Sequence, residues 1–319
     1  MKVALFGGTG FVGSYLVDAL VEVGLQPVVL VRPGSEDRVN HADRCTTVAG
    51  DIADPAAIES VLEGADAAIF NIGILREVPS RGVTFQALQE QAPKQAIDAA
   101  SRLGVRRFIL MSANGVEANS TDYQQTKLRA EQHLQESGLD WTIFRPSVVF
   151  GDPRGRMEFA SQLKRDIIDA PLPAPLFFPG LNPAEAGRFE LSPVHVRDVA
   201  AAFAAALLNS DTIGQIYRLG GPEPLSWRRI LETIAAATGK QKTMLPVPAI
   251  GVSTAAALFG RWERFPITRD QITMLLQGNR CAPDDLVRLG IDPTPFNTES
   301  LRYLSNTTEE PASWHQNAA

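Results

Sequence analysis

Residues 1–13, Met1-Lys2-Val3-Ala4-Leu5-Phe6-Gly7-Gly8-Thr9-Gly10-Phe11-Val12-Gly13, set a short apolar run directly against a glycine-rich turn. Val3 to Phe6 show no polar alternation, as expected of a strand covered on both faces. Gly7 permits a sharp exit from that strand, Gly10 has no Cβ to hold backbone amides away from phosphate oxygens, and Gly13 lets the next helix approach the sheet. That helix, expected from Phe11 to Val23, aims its amino end at the turn, where unsatisfied N–H groups and partial positive charge favour an anion. Such a turn receives a dinucleotide pyrophosphate on its main-chain amides, with Thr9, Phe11 and Val12 standing among the glycines. A nicotinamide dinucleotide is therefore the first cofactor expected. The spacing Gly7-x-x-Gly10-x-x-Gly13 departs from the Gly-x-Gly-x-x-Gly of the ordinary fingerprint.

Outward from this turn, strands and helices alternate. Strands are expected at Lys2–Phe6, Pro27–Val31, Thr46–Ala49, Ala67–Asn71, Arg107–Met111 and Trp141–Arg145, and helices at Phe11–Val23, Pro55–Leu62, Val83–Leu103 and Thr121–Ser137. This predicts an α/β fold, a doubly wound parallel sheet, with residues 1–150 as a dinucleotide-binding core. Beyond Phe150 proline becomes frequent, above all from Pro171 to Pro183, where no regular structure and a substrate-side loop are expected. Helix Arg197–Leu208 and strand Ile216–Leu219 return to the core within residues 194–220, so the smaller C-terminal substrate lobe, residues 151–304, is interleaved with it. Further helices are expected at Ser226–Thr238 and Thr268–Gln277, capped by Ser226 and Thr268. Residues 305–319 lack an apolar face and read as a flexible tail.

With 319 residues, 45% of them hydrophobic, the chain is able to bury a full core. Its net charge of -6 supplies no basic field and argues against nucleic acid as a partner. Cys45 and Cys281 stand far apart, outside any Cys-x-x-Cys or Cys/His cluster, which argues against a disulfide framework or a metal. The opening strand leaves no room for a cleaved leader, so a cytoplasmic location is expected. Val247 to Gly260, followed by Arg261-Trp262-Glu263-Arg264, is apolar but too short to span a bilayer. It reads as a helix packed on the small lobe, with peripheral contact to a membrane or a membrane complex as the alternative.

Residues after the second strand bear on the choice of cofactor. A site for NAD places Asp or Glu there, whereas a ribose 2′-phosphate calls for positive charge. The chain has Val31-Arg32-Pro33-Gly34-Ser35, so NADP(H) is expected over NAD(H), with Arg32 as the phosphate contact and Ser35 or Arg38 assisting. A solvated Arg32 is the plain alternative. Asp51-Ile52 and Asn71-Ile72-Gly73 lie where adenine and ribose pass, although Asp51 also suits a turn or cap. Tyr123 and Lys127, four apart on an expected helix, share a face. An ammonium there lowers a tyrosine pKa and holds ribose hydroxyls, making Tyr123 the proton donor in reduction and the base in oxidation. Ser112, after the fifth strand, is placed to polarise a carbonyl, and the backbone of Pro146 to Val148 to face a carboxamide. A packed Tyr123 with a solvated Lys127, and a Pro146 that merely ends a strand, are the structural alternatives.

Together these features resemble the short-chain dehydrogenase/reductase superfamily over nearly the whole chain up to Leu304. The resemblance rests on Gly-Gly-Thr-Gly-Phe-Val-Gly (7–13), Tyr-Gln-Gln-Thr-Lys (123–127), Phe-Arg-Pro-Ser-Val-Val-Phe-Gly (144–151) and Val-His-Val-Arg-Asp-Val-Ala (194–200). Within its extended and atypical branches the chain most resembles bacterial relatives of the Rossmann-fold accessory subunit of respiratory complex I. Ser-Ala-Asn-Gly-Val (112–116), Ile-Thr-Arg-Asp-Gln-Ile-Thr-Met-Leu-Leu (267–276) and Leu-Gly-Ile-Asp-Pro-Thr (289–294) carry that likeness. It implies a Rossmann fold with bound NADPH or NADH, without implying turnover. The gap from Ser112 to Tyr123 is short for the extended enzymes, and Gly151 to Met157 is more polar than the branch suggests. His195 and Asp198 are expected to orient the returning helix. Three functions follow as expectations: an NADP(H)-dependent oxidoreductase acting on a carbonyl or alcohol of a small molecule, a nucleotide-stabilised accessory or assembly protein of a membrane complex, and a sugar-nucleotide epimerase or dehydratase with a diphosphate pocket near Arg154, Arg156 and Arg188.

Overall fold

Strands β1 (Lys2–Phe6), β2 (Gln26–Val31), β3 (Thr46–Ala49), β4 (Ala67–Phe70), β5 (Arg107–Met111) and β6 (Asp140–Pro146) are all parallel neighbours in one sheet. The computed structural model describes residues 1–118, 120–180, 182–249 and 269–305. After β6 come β7 (Val149–Phe150), β8 (Ala174–Phe178), β9 (Glu190–Leu191), β10 (Val194–His195), β11 (Gln215–Leu219), β12 (Leu225–Ser226) and β13 (Met244–Pro248). Of these, β11 rejoins the large sheet beside β6, giving seven strands in the order β11-β6-β5-β4-β1-β2-β3. The order reverses between β1 and β4, and the crevice beyond their carboxyl ends is where such sheets bind ligands.

Helices cover both faces. Leu16 and Leu20 of α1 (Phe11–Glu22) and Val199 and Phe203 of α6 (Val196–Leu208) pack on Leu5, Val29 and Ile109. On the other face, Ile58 of α2 (Pro55–Leu62), Ile97 of α3 (Ala92–Leu103) and Leu134 of α4 (Asp122–Glu136) pack on Phe6, Phe70 and Phe108. Each of these aromatic side chains contributes about 1.5–3 kcal/mol by leaving water. A further core joins Phe150, Leu176, Phe177 and Trp227, built from α5 (Phe159–Leu163), β8 and α7 (Trp227–Ala237). Three short ladders, β7 with β10, β9 with β12 and β8 with β13, join segments far apart in sequence.

Two expectations are corrected. The stretch Pro171 to Pro183 contains the regular strand β8, paired parallel with β13. Pro175 is tolerated because a two-stranded ladder leaves alternate N–H positions unused, and its carbonyl accepts a hydrogen bond from Trp227 Nε1 at 3.0 Å. The helix expected from Val83 begins instead with a π-helical turn at Gln86–Gln91, and Val83 pairs with Val78 in a bridge. Pro93 cannot donate to the carbonyl four residues back, so the α-helical ladder starts cleanly only after the wider turn. Ser226 caps α7 as expected, accepting from Arg229 N at 3.2 Å. The expected cap Thr268, the apolar run beyond Ala249 and residues 306–319 lie outside the described residues.

His195 and Asp198 fasten the returning segment. His195 Nδ1 accepts from Arg197 N (3.4 Å) as the cap of α6, and Asp198 accepts from Thr294 N (2.7 Å) and Thr294 Oγ1 (3.0 Å). Burial lowers His195 to about 4, Arg197 adding to the effect, so the folded ring is neutral. Its contribution to stability is complete above the ordinary histidine value of 6.5 and is lost as pH falls towards 4. The variant His195→Asn, which retains a capping oxygen, is therefore expected to lose less stability than the wild type between those pH values in paired denaturant titrations. Glu158, pushed up to about 7 by burial, has the opposite slope in both proteins and cancels in the difference.

Candidate active site

Gly7 leaves β1 with φ +93°, a backbone region that side chains rarely adopt. At Gly13 a Cβ would stand 2.0 Å from Gly7 O, so the first turn of α1 rests on the glycine loop backbone to backbone. A Cβ at Gly10 would meet only Gly7 O, at 3.4 Å, leaving its remaining side open. No side chain caps α1, whose N-cap is Gly10. Asn71, after β4, brings its Nδ2 to 3.5 Å from Gly7 O, while its Oδ1 is buried with no hydrogen-bond partner. An uncapped helix end, an open glycine and a buried acceptor without a partner fit the pyrophosphate and ribose of a dinucleotide.

On the adenosine side, Arg32 is exposed with no side-chain partner among the described residues. Asp51 Oδ1 accepts from Ala53 N at 2.8 Å, which is the turn role weighed for it, and Ile52 is buried against the α2 face of the sheet. Pro146 O accepts from Asn114 N (2.9 Å) and Val148 O from Val194 N (2.9 Å), so both carbonyls are already engaged.

Ser112 directly follows β5 with its Oγ buried and without a partner, while its N–H donates to Phe144 O at 2.7 Å. Helix α4 begins with a capping box in which Thr121 Oγ1 accepts from Gln124 N and Gln124 Oε1 accepts from Thr121 N. Gln124 Nε2 also donates to Gly115 O (2.5 Å), fixing the short turn after Ser112 to the helix. Lys127 Nζ donates to Met111 O (3.1 Å), next to Ser112, and would stand 3.3 Å from a Cβ on Gly73. The structure thus brings Gly73, Ser112 and Lys127 together. Tyr123, one turn before Lys127, lies edge-on to Phe85 at 5.6 Å between ring centres.

The electrostatics correct one expectation. Burial raises Tyr123 to about 12, whereas an ammonium-lowered phenol had been expected. Lys127 is itself desolvated, down to about 8 with Glu131 opposing, and is directed at the Met111 carbonyl. The tyrosine is therefore a neutral phenol at pH 7, and a weaker acid than a solvated tyrosine. Glu131, one turn beyond Lys127, is bound by Arg145 of β6 through Nε (2.9 Å) and Nη2. That pair fixes the buried helix face to the sheet, a role that residue spacing alone did not reveal.

Other residues escaped the sequence reading. A Cβ on Gly8 would meet Val29 Cγ1 at 2.6 Å, so its absence belongs to sheet packing. Thr121-x-x-Gln124 carries the sequence pattern of a capping box. Arg154, Arg156 and Arg188 do not converge on a diphosphate pocket. Arg154 and Arg156 lie on α1 and the glycine loop, whereas Arg188 pairs with Glu185 at 3.2 Å in the segment between β8 and β9. A polar cavity of about 340 Å³ lies beyond Ser112, lined by Asn114, Arg145, Arg218 and Arg280 among others, but by neither Tyr123 nor Lys127.

Strand order and glycine loop define a Rossmann-type protein of the kind that binds a nicotinamide dinucleotide. Residues 7–167 match the family described as NAD(P)H-binding, and the chain belongs to that family, among its short-chain dehydrogenase/reductase-like members. It is 30% identical over 295 residues to NADH dehydrogenase (ubiquinone) 1 alpha subcomplex subunit 9, mitochondrial, of Arabidopsis thaliana, covering 89% of this chain and 70% of that protein. It is 25% identical over 269 residues to the ceramide reductase of Caulobacter vibrioides, covering 82% of this chain and 78% of the reductase. In fold it is similar to UDP-glucose 4-epimerase of Thermus thermophilus in complex with NAD, with TM-score 0.71 and 21% identity over 96% of this chain and 98% of the other. No helix among the described residues is long and apolar enough to cross a membrane.

Proposed function

We propose that the protein is an NADP(H)-dependent oxidoreductase that reduces the carbonyl of a small molecule to an alcohol. The observation that carries this reading is the buried Ser112 hydroxyl without a partner, next in the chain to the Met111 carbonyl that buried Lys127 binds, with a neutral Tyr123 one helical turn before that lysine. A buried donor left unpaired costs about 1–3 kcal/mol, which a substrate oxygen relieves. Ser112 orients that oxygen, Tyr123 Oη gives it a proton, and the Lys127 ammonium, charged below about 8, stabilises negative charge developing there. The nicotinamide supplies the hydride when bound. Gly7 to Gly13, Asn71 and Gly73 would hold the dinucleotide, and Arg32 its 2′-phosphate. Reductase relatives support this chemistry.

The test is NADPH oxidation, followed by absorbance, across a panel of carbonyl and quinone compounds. Consumption with alcohol formed in equal amount supports the reading, and binding of NADPH without turnover of any substrate defeats it. Arg32→Ala is expected to raise the NADPH Kd about tenfold and leave NADH within about twofold, because it removes a charge-assisted contact that only the 2′-phosphate makes. Equal effects on both would remove the NADP(H) preference.

A second reading, favoured by the similarity to the mitochondrial subunit across 89% of the chain, is a nucleotide-stabilised component of a membrane complex in peripheral contact with it. It predicts that Gly10→Ala harms the assembly while Tyr123→Phe does not.

A further inference from the structure

The segment after β7 lies along α1 and the glycine loop. Tyr15 Oη donates to Asp152 O (3.0 Å), and the Arg154 guanidinium stacks 3.7 Å above the Tyr15 ring while pairing with Asp18 at 2.7 Å. Arg154 and Gly155 both take left-handed backbone, with φ of 50° and 73°. For a non-glycine residue that costs roughly 1–2 kcal/mol, so the neighbouring contacts hold this loop in shape.

Arg156 then directs all three guanidinium nitrogens at main-chain carbonyls: Nε at Thr9 (2.8 Å), Nη2 at Arg38 (2.9 Å) and Nη1 at Arg154 (3.1 Å). Thr9 belongs to the glycine loop after β1, and Arg38 to the turn Glu36–Arg38 after the neighbouring strand β2. One side chain, placed far along the sequence, thus ties together the two segments that border the adenosine half of the dinucleotide site. Burial above all, and then Arg38 and Arg154, disfavour the charge on Arg156, with Tyr15 and Asp18 opposing. Asp18 is shared between Arg154 and His41, at 2.7 and 3.3 Å, so one carboxylate faces two basic side chains at this end of the site.

We propose that Arg156 is a positioning and specificity residue for the adenosine ribose phosphate of NADP(H): it braces the Arg38 turn against the glycine loop and adds its own charge to the phosphate-binding end. The inference rests on the NADP(H) reading above and adds to it a residue from a loop otherwise assigned to the substrate side. An uncharged or misplaced turn still admits NADH, whose ribose carries no phosphate.

The experiment is calorimetric titration of the full chain with NADPH and with NADH, using wild type, Arg156→Ala and Arg156→Lys, with melting temperatures measured in parallel. Arg156→Ala is expected to raise the NADPH Kd at least tenfold and the NADH Kd no more than about threefold. Arg156→Lys keeps the charge but loses the fork, so it is expected to lie between the two, with part of the preference restored. If Arg156→Ala does not fold, a loss of at least about threefold in NADPH affinity by Arg156→Lys at unchanged melting temperature carries the same conclusion. Unchanged NADPH affinity in both variants, or equal weakening of both dinucleotides with a fall in melting temperature, overturns the proposal and leaves Arg156 a scaffold residue. Equal binding of NADPH and NADH by the wild type overturns the NADP(H) reading itself.

Discussion

Tyr123→Phe is expected to lower kcat for carbonyl reduction by roughly two to four orders of magnitude while leaving NADPH affinity within about twofold. The lost factor, roughly 3–5 kcal/mol of barrier, is the range for removing a positioned proton donor from the transition state. The ring contact with Phe85 survives the change, so the substitution removes one oxygen and little else. Stopped-flow turnover and a separate binding titration distinguish the two effects. A Tyr123→Phe protein with undiminished kcat would exclude the phenol as the donor. The same mechanism sets the pH profile. Tyr123 stays protonated across the accessible range, being held near about 12, whereas Lys127 loses its proton above about 8. Reduction should therefore slow about tenfold for each pH unit beyond that value, as the charged lysine disappears.

Gly13→Ala carries the other large effect. Its Cβ would lie 2.0 Å from Gly7 O and 2.8 Å from both Gly7 C and Gly8 Cα, all backbone atoms with no side-chain torsion to relieve them. Helix α1 would have to lift from the glycine loop, separating Leu16 and Leu20 from the sheet at a cost of about 3 kcal/mol or more. In a protein of 319 residues that lowers the melting temperature by about 4–5 °C or more and abolishes dinucleotide binding. Gly10→Ala is the control. Only Gly7 O lies near, at 3.4 Å, so the free protein should melt within about 2 °C of wild type while NADPH affinity falls at least about tenfold. Equal loss of stability in the two variants would show that the open side of Gly10 is not reserved for a ligand.

The contrast between these glycines shows what a sequence can reveal. The run from Val3 to Gly13 was legible because strand, turn and helix follow one another without interruption, and a parallel sheet followed from regular alternation. Tyr123 and Lys127 were legible because four-residue spacing fixes a helix face. The direction of the Tyr123 shift was not, since it depends on how much water the surrounding loops exclude. Strand β8 was hidden because proline was weighed by local propensity, while its partner β13 lies far along the chain. The bracing contacts of Arg156 were hidden for a related reason: a guanidinium that binds three carbonyls leaves no motif, because any residue supplies a carbonyl. Charge alone groups Arg154 and Arg156 with Arg188, whereas in the folded chain their partners differ.

The placement of β11 bears on how the chain must be made. Its partner β6 is synthesised first, and the intervening segment supplies about half of the residues of the smaller hydrophobic core, so as the polypeptide emerges β6 waits with a row of unpaired amides and carbonyls. A nascent or truncated product ending near Phe150 would present that bare ribbon to its neighbours and tend to associate with other copies, so the nucleotide-binding half is best regarded as unfinished until the later strand has been translated.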